Sequence, residues 1–365
     1  MALQGLFIIL AVMLTLLFLG VPISYGIGIS SLAAILTCID LDVAVLTAAQ
    51  RTFVGMSKFS LTAIPFFILA GNIMNQGGIA KRLVNFVMAI LGKLPGALLV
   101  TNVGTNALFG AISGSASAAA AAVGSMIRDG AEEAGYDPAL TAATNAASAP
   151  SGLLIPPSNA MITYSLAAGG TSVAALFMAG YLPGLIWALA CAIVGVLLAV
   201  RKGYKGTPGK FSWRGLFKAT LDAIPSLSLI VVVIGGIIGG IFSATEGSAI
   251  AVVYSLILAF CYKSVNLKSL WRIVVDSAKT SGMVVFLIGV SNILGWVMAF
   301  MQIPDAVAGA LLGLTNNKYI ILLIMNVILL ISGTFMDVTP AILIFTPLFL
   351  PICKGFGMRA IQFGL

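Results

Sequence analysis

Long runs of apolar residues, separated by short breaks rich in glycine, proline or charge, cover most of the chain. Between Asp137 and Arg201 there is no charged side chain at all. A membrane-spanning helix needs about 20 apolar residues, so this interval alone has room for roughly three. The runs are continuous and do not alternate with polar residues, which favours helices. Counting the runs predicts roughly eleven membrane-embedded segments, and we expect an all-α polytopic membrane protein.

The composition agrees with this pattern, because 60% of the 365 residues are hydrophobic and only 8% are charged. Soluble domains have roughly 25% charged residues. The chain has no histidine, which excludes Ser-His catalytic triads, His-ligated zinc and imidazole proton relays. It also lacks a glycine-rich phosphate loop followed by Lys, so ATP hydrolysis is not expected. We therefore expect a protein that is not an enzyme and has no cofactor and no transition metal.

The basic residues sit in loops, and their densest cluster is "RKGYKGTPGKFSWRGLFK", from Arg201 to Lys218. Short loops rich in Lys and Arg stay on the cytoplasmic side of a membrane, so this loop is predicted to be cytoplasmic. The net charge of +8 then reflects membrane topology, and nucleic acid is not expected as a partner.

The two parts of the chain on either side of this loop resemble each other. Ile112-Ser113-Gly114-Ser115 in the first part matches Ile331-Ser332-Gly333-Thr334 in the second, and flanking segments follow in the same order. We interpret this as an internal repeat, with halves at residues 1–200 and 219–365 joined by the basic loop at 201–218. The alternative is chance similarity between two apolar stretches. Internal symmetry with interrupted helices is typical of secondary transporters.

The stretch "SAPSGLLIPPSNAMITYS", from Ser148 to Ser165, has a polar character unusual for a membrane segment. Pro156 and Pro157 must leave backbone carbonyls without helical partners, which is tolerated at membrane depth only beside protein or a water-filled cavity. We expect a re-entrant hairpin or a broken helix that lines a polar site. The alternative is a proline-kinked structural helix.

The chemistry of this stretch suits two ligands. Free carbonyls together with the hydroxyl groups of Ser148, Ser151 and Ser158 are oxygen donors suited to Na⁺. The N-terminus of a helix that restarts near Ser158 and Asn159 favours an anionic carboxylate.

Both copies of the repeated motif are candidates for symmetry-related ion sites. Ser113 and Ser115 correspond to Ser332 and Thr334, and the second copy is followed by Asp337 and Thr339. Close helix packing through small residues is the alternative. Two acidic residues lie inside apolar sequence, where a charge is costly. For Asp337, ion or substrate binding and helix capping remain equally open, whereas for Glu246 helix capping is favoured.

Three segments taken together resemble the large membrane (M) subunit of tripartite ATP-independent periplasmic (TRAP) transporters. They are "GLLIPPSNAMITYSLAAGGTSVAALFMAGYLPGL", "IIGGIFSATEGSAIAVVYSLIL" and "GTFMDVTPAILIFTPLFLPI". The resemblance implies two inverted repeats, each with a re-entrant helical hairpin, and a transport domain that moves past a scaffold domain in an elevator motion. It also implies Na⁺-coupled import of an organic acid, such as a C4-dicarboxylate or sialic acid.

The resemblance further implies partners and a location. The partners are a small four-helix membrane (Q) subunit, a periplasmic substrate-binding (P) protein and the lipid bilayer, and the location is the bacterial inner membrane. A stand-alone Na⁺-coupled anion carrier of the same superfamily, which needs no binding protein, is the alternative. No four-helix segment precedes Met1, so we expect an M subunit that is separate from its Q subunit.

Site residues carried over from the family form two groups. The first hairpin, around residues 110–165, implies Na⁺ ligands at Ser113, Ser115, Ser148, Ser151, Gly152 and Pro156, and substrate contacts at Ser158 and Asn159. The second hairpin implies Na⁺ ligands at Gly333, Thr334, Asp337 and Thr339. Because the chain ends at Leu365 before a second Pro-Pro element, the second hairpin is expected to be cut off and the second half incomplete.

Overall fold

The computed structural model describes residues 1–206, 212–315 and 317–365. The described residues form helices and no strands, which confirms the predicted all-α class. Residues 207–211 of the predicted basic loop lie outside the described residues. The helices, in chain order, are α1 (Ala2–Phe18), α2 (Ile23–Ile35), α3 (Leu41–Met56), α4 (Ala63–Gln76), α5 (Ile79–Leu91), α6 (Ala97–Ser113), α7 (Ala116–Glu133), α8 (Pro138–Ser148), α9 (Ser151–Leu154), α10 (Asn159–Ala167), α11 (Val173–Arg201), α12 (Trp213–Ile238), α13 (Ala244–Cys261), α14 (Leu267–Phe300), α15 (Ile303–Leu314), α16 (Lys318–Gly333), α17 (Val338–Gly355) and α18 (Ala360–Phe363).

Five of these helices, α11, α12, α13, α14 and α17, are long and apolar enough to cross a membrane. A sixth span is possible if α3 and α4, with the short 3-10 helix Phe59–Thr62 between them, form one segment that bends by 60°. The described part of the chain also contains five shorter apolar helices, α1, α2, α6, α15 and α16. Together these segments are as numerous as the roughly eleven apolar runs counted in the sequence. The protein is a multi-pass membrane protein.

The contacts divide the chain into two compact units. The first unit contains Met1–Leu61, Thr163–Ser172 and Lys279–Gly364, and the second contains Thr62–Ile162, Val173–Ala278 and Leu365. Each unit therefore combines segments from both sides of the basic loop. The predicted repeat halves are defined by sequence symmetry and not by contacts, so the division at residues 201–218 stays a prediction.

In the second unit, α6 and α7 fold back on each other as a helical hairpin. The turn falls at Gly114, whose φ of +64° lies in the left-handed region that only glycine adopts readily. Helix α7 then starts at Ser115, whose hydroxyl accepts a hydrogen bond from the backbone N–H of Ala118. Asn145 of α8 accepts a bond from Asn106 of α6 and donates one to the carbonyl of Ala120 of α7. Asn106 and Ala120, on opposite sides of the turn, are therefore bridged by one side chain.

Helices α8, α9 and α10 form a broken helix that runs antiparallel to α11. Trp187 of α11 donates its indole N–H to the carbonyl of Ala147 over 2.9 Å. Further back along α11, Gly180 lies against both the carbonyl of Leu154 and the side chain of Met161. Residues on both sides of Pro156 and Pro157 therefore lie against the same part of α11. The helix is broken at residues 155–158, between the end of α9 and the start of α10.

The turn of the first hairpin lies at residues 113–115, where a left-handed glycine reverses the chain. This position falls within the range 110–165 predicted for the first hairpin. The second copy of the motif likewise falls at a helix end, between α16 and α17. The expectation that the second hairpin is cut off at the C-terminus stays a prediction.

In the first unit, α3 packs closely on the second half of α14. A Cβ atom added at Gly55 would lie 3.0 Å from the Cα atom of Gly289 and 2.6 Å from the side-chain amide of Asn292. Helices α16 and α17 meet where the thiol of Cys353 lies 3.9 Å from the sulfur of Met325. These contacts place small or flexible residues where the helices approach each other.

A pair of opposite charges joins the start of α8 to the end of α11. The Lys202 ammonium lies 2.5 Å from the Asp137 carboxylate, which also caps α8 by accepting a bond from the N–H of Ala139. The hydrogen bond from Lys202 lowers the pKa of Asp137 below its ordinary value of 3.8, and the bond to Asp137 raises the pKa of Lys202 above 10.5. The pair therefore stabilises the folded protein fully between pH 3.8 and pH 10.5, the ordinary pKa values of the two groups.

We expect this contribution to be lost as the pH falls through the lowered pKa of Asp137, and also as it rises through the raised pKa of Lys202. The variant Asp137→Asn keeps an oxygen for the cap and removes the charge. It should unfold at a slightly lower temperature than the wild type near neutral pH, and the difference should vanish in acid and in high salt. Unfolding midpoints measured across pH test this, and a difference that persists in acid would contradict it.

Candidate functional site

The two helix interruptions of the second unit meet each other. The backbone N–H of Asn159, at the start of α10, points to the carbonyl of Gly114 at a distance of 3.4 Å. A Cβ atom added at Gly114 would lie 3.2 Å from the carbonyl oxygen of Pro157 and 3.3 Å from the backbone nitrogen of Asn159. The turn at residues 113–115 and the break at residues 155–158 thus form one crossing, which we call the crossing site.

Polar atoms are buried at the crossing site without full hydrogen bonding. Ser113 and Ser158 are buried, and the Ser113 hydroxyl donates to the carbonyl of Ser115 over 3.3 Å. The side-chain oxygen of Asn159 is buried and has no hydrogen-bond partner. A buried unpaired acceptor costs about 1–3 kcal/mol. The oxygens named here are uncharged, which suits a monovalent cation better than a multivalent one.

Small residues bring the helix backbones together beside the crossing site. A Cβ atom added at Gly110 of α6 would lie 2.2 Å from the Cα atom of Gly152, and one added at Gly152 would lie 2.3 Å from the Cα atom of Gly110. Both distances are far below any real carbon contact, so neither position accepts a side chain without movement of the backbone. Gly152, predicted as an ion ligand, thus has a structural reason to be glycine.

A buried network of amides and hydroxyls adjoins the crossing site. The amide nitrogen of Asn106 donates to Asn102, Asn145 and Ser148 over 2.8, 2.9 and 2.8 Å. The Ser151 hydroxyl donates to the carbonyl of Ser148 over 2.6 Å. Within this network the amide nitrogen of Asn102 and the side-chain oxygen of Asn106 have no partner. Ser148 and Ser151 are therefore buried members of a network that still has hydrogen-bonding capacity.

The network reaches a cavity of about 490 Å³ between α6, α7 and α8. Asn102 and Asn145 line its inner wall, and Ser125, Arg128 and Tyr136 line other parts of it. Arg128 is paired with Glu132 over 2.8 Å. The cavity therefore extends from the amides of Asn102 and Asn145 to the exposed side chains of Arg128 and Glu132.

The second group of predicted site residues lies in the first unit, at the interruption between α16 and α17. Gly333, Thr334 and Asp337 are exposed there, while Thr339 is half-buried. Thr334 donates to the carbonyl of Ile331 over 2.6 Å. Asp337 caps α17 by accepting a bond from Val338 over 2.8 Å. Capping is therefore shown for Asp337, and its role as an ion ligand stays a prediction.

The interpretation of Glu246 as a helix cap is confirmed. Its carboxylate accepts bonds from the backbone N–H and the hydroxyl of Ser243 over 2.7 and 2.8 Å, and the Ser243 hydroxyl accepts the N–H of Glu246 over 3.3 Å. This reciprocal arrangement is a capping box at the start of α13.

Sequence reasoning missed three asparagines, Asn102, Asn106 and Asn145, and the contact between Gly110 and Gly152. The signal was present in "TNVGTNALFG", where asparagines at positions 102 and 106 are one helical turn apart in an apolar run. An amide in such a run must find partners inside the protein. The partner on α8 could not be identified, because it depends on how the hairpin folds back.

The fold and the crossing site define the class of protein. It is a multi-pass helical membrane protein built around interrupted helices, as secondary transporters are. A crystal structure of the Alcanivorax borkumensis YdaH transporter has a similar fold, with a TM-score of 0.57 and 14% sequence identity over 88% of this chain and 75% of that chain. The chain belongs to the family described as tripartite ATP-independent periplasmic transporter, DctM component, whose sequence pattern matches residues 10–365.

Relatives from bacteria agree with this family. The chain is 51% identical to the uncharacterized protein YgiK of Salmonella typhimurium, over 96% of this chain and 80% of that protein. It is 36% identical to the C4-dicarboxylate TRAP transporter large permease protein DctM of Rhodobacter capsulatus, over 98% of this chain and 84% of that protein. The resemblance inferred from the three sequence segments is confirmed, and the protein is a large permease subunit of a secondary solute transporter.

Proposed function

We propose that this permease imports an organic acid and couples the import to the entry of Na⁺. The observation that carries the proposal is the crossing site, where two interrupted helices place uncharged oxygens, and the unpaired side-chain oxygen of Asn159, inside the protein. Such an arrangement suits a small monovalent cation, because carbonyl, hydroxyl and amide oxygens are the ligands that hard cations prefer.

The same crossing site also offers donors to an anion. Helix α10 starts at Asn159, so its first backbone N–H groups lack partners within the helix, and those of Asn159 and Met161 make only long bonds of 3.4 Å, to the Gly114 carbonyl and the Ser158 hydroxyl. These groups and the helix dipole favour a carboxylate. We propose that Ser158 and Asn159 contact the substrate, that Ser113, Ser115, Ser148, Ser151, Gly152 and Pro156 form the Na⁺ site, and that the side-chain oxygen of Asn159 also reaches this Na⁺ site. A second Na⁺ site at Gly333, Thr334, Asp337 and Thr339 is part of the proposal.

The remaining parts of the proposal concern the working complex. The substrate is a C4-dicarboxylate, sialic acid or a related carboxylate, and the name of the Rhodobacter capsulatus relative supports the first of these. A periplasmic binding protein delivers the substrate, and the permease works together with a small four-helix membrane subunit. The complex lies in the bacterial inner membrane. Transport follows an elevator motion, in which the crossing site moves with its bound ion and substrate.

Uptake measurements test the proposal. The permease is reconstituted in proteoliposomes with its candidate small subunit and binding protein, and uptake of radiolabelled succinate and sialic acid is measured with and without an inward Na⁺ gradient. We expect uptake of one acid that requires both Na⁺ and the binding protein. Uptake that ignores the binding protein would support the stand-alone carrier, and uptake that ignores Na⁺ would overturn the coupling.

The variant Asn159→Ala tests the crossing site itself. Removal of the buried amide oxygen should raise the Na⁺ concentration for half-maximal uptake by about tenfold, the equivalent of one good hydrogen bond to a charge. Asn326→Ala is a matched control, because that amide lies on the exposed face of α16 and donates only to a carbonyl of its own helix. An unchanged Na⁺ dependence in Asn159→Ala would remove Asn159 from the site.

A further inference from the structure

A second cavity, of about 320 Å³, lies in the first unit. Two basic residues, Arg51 of α3 and Lys58 just beyond its end, line this cavity. Ser291, Asn292 and Trp296 of α14 form the opposite wall. Neither basic residue was singled out in the sequence, and neither belongs to the crossing site, so the cavity has no part in the function proposed above.

The close packing of α3 on α14 explains why the two basic side chains reach one cavity. Gly55 lies at a close contact between the two helices. Arg51 lies one helical turn before this glycine, and Lys58 follows the end of α3. The two cations therefore lie on either side of this contact along the chain.

The charges of Arg51 and Lys58 are not neutralised by acidic residues of the described chain. The ion pairs found there are Arg128 with Glu132 and Lys202 with Asp137. The Arg51 guanidinium carbon lies 5.6 Å from the centre of the Trp296 ring, which orients the guanidinium without cancelling its charge. Both side chains are exposed and line one cavity, so an anion bound there would meet two positive charges.

We propose that this cavity binds a single oxyanion group, a carboxylate or a phosphate, attached to an apolar body. The planar guanidinium of Arg51 matches the two oxygens of such a group, and Lys58 adds a point charge. Apolar residues Leu343 and Pro347 line another part of the cavity and suit the apolar body. The oxyanion comes either from a soluble organic acid or from the headgroup of an anionic phospholipid.

Thermal unfolding in lipid nanodiscs tests the proposal and separates the two sources. The protein is held in nanodiscs of phosphatidylcholine and titrated with sodium octanoate, with sodium chloride as the control for ionic strength. In a second arm, phosphatidylglycerol replaces part of the phosphatidylcholine. A saturable rise in the unfolding temperature with octanoate in the first arm identifies a soluble acid. A rise with phosphatidylglycerol, together with loss of the octanoate effect, identifies the lipid headgroup.

The variants Arg51→Gln and Lys58→Gln should each weaken whichever response is found by about tenfold in concentration, as loss of one charge-assisted hydrogen bond implies. Lys318→Gln is the matched control, because it removes one positive charge from the same unit at an exposed site beside Tyr319. If Arg51→Gln does not fold, the exposed Lys58→Gln decides. The proposal is overturned if the wild type responds to neither anion, or if Lys58→Gln responds as Lys318→Gln does.

Discussion

The variant Gly152→Ala is expected to lose both stability and uptake. Its added methyl group would lie 2.3 Å from the Cα atom of Gly110, and backbone on both sides leaves no flexible side chain that could move away. We expect a loss of about 3 kcal/mol in the free energy of unfolding, the upper end of the cost of an inserted methyl group in a packed interior. The unfolding temperature of the purified protein and the rate of uptake in proteoliposomes check this.

The control for this experiment is Gly130→Ala in α7 of the same hairpin. No atom lies within 4 Å of the added methyl group there, so the variant should gain up to about 1 kcal/mol from helix propensity. Gly110→Ala should repeat the defect of Gly152→Ala, and the double variant should cost less than the sum, because both changes disturb one contact. Normal stability and uptake in Gly152→Ala would show that α6 and α9 are farther apart than described.

The second large effect is expected from Asn106→Leu. The leucine is similar in size but removes the amide nitrogen whose two hydrogens are shared among the side-chain oxygens of Asn102, Asn145 and Ser148. Asn102 and Ser148 are buried, and each buried group left unpaired costs about 1–3 kcal/mol, so we expect a loss of roughly 3 kcal/mol. The unfolding temperature and the fraction of monodisperse protein after purification measure it.

The variant Asn106→Asp sharpens this prediction. A carboxylate at this position would face three oxygen acceptors in a buried setting, so it should be less stable than Asn106→Leu at neutral pH. Asn326→Leu, on the exposed face of α16, should change the unfolding temperature little. Equal stability of the Leu and Asp variants would mean that water reaches Asn106 freely and that the network is not closed.

The break at Pro156 and Pro157 was predicted from the sequence, because its chemistry is local, whereas the turn at Gly114 was not singled out. Glycine at position 114 permits a left-handed backbone, and prolines at 156 and 157 remove hydrogen-bond donors wherever the rest of the chain lies. The capping box at Ser243 and Glu246 was predictable for the same reason, since the two residues are three positions apart. Such features need no knowledge of tertiary structure.

The path of the chain after each interruption was not predictable from these residues. Proline ends a run of hydrogen bonds but does not determine whether the next helix turns back or continues, and this depends on packing against α11. The partners of Asn106 likewise come from α8, about forty positions further along the chain. Arg51 and Lys58 gave no signal, since two basic residues near a helix end are common on any protein surface.

The bond between Trp187 and the carbonyl of Ala147 gives the protein a spectroscopic label of its own. Ala147 directly precedes Ser148, the residue that links α8 to the buried amide network. Indole fluorescence responds to the strength of the hydrogen bond that its N–H donates. The difference between the emission spectra of the wild type and Trp187→Phe therefore isolates a native probe, and it reports movement of the broken helix without any attached dye.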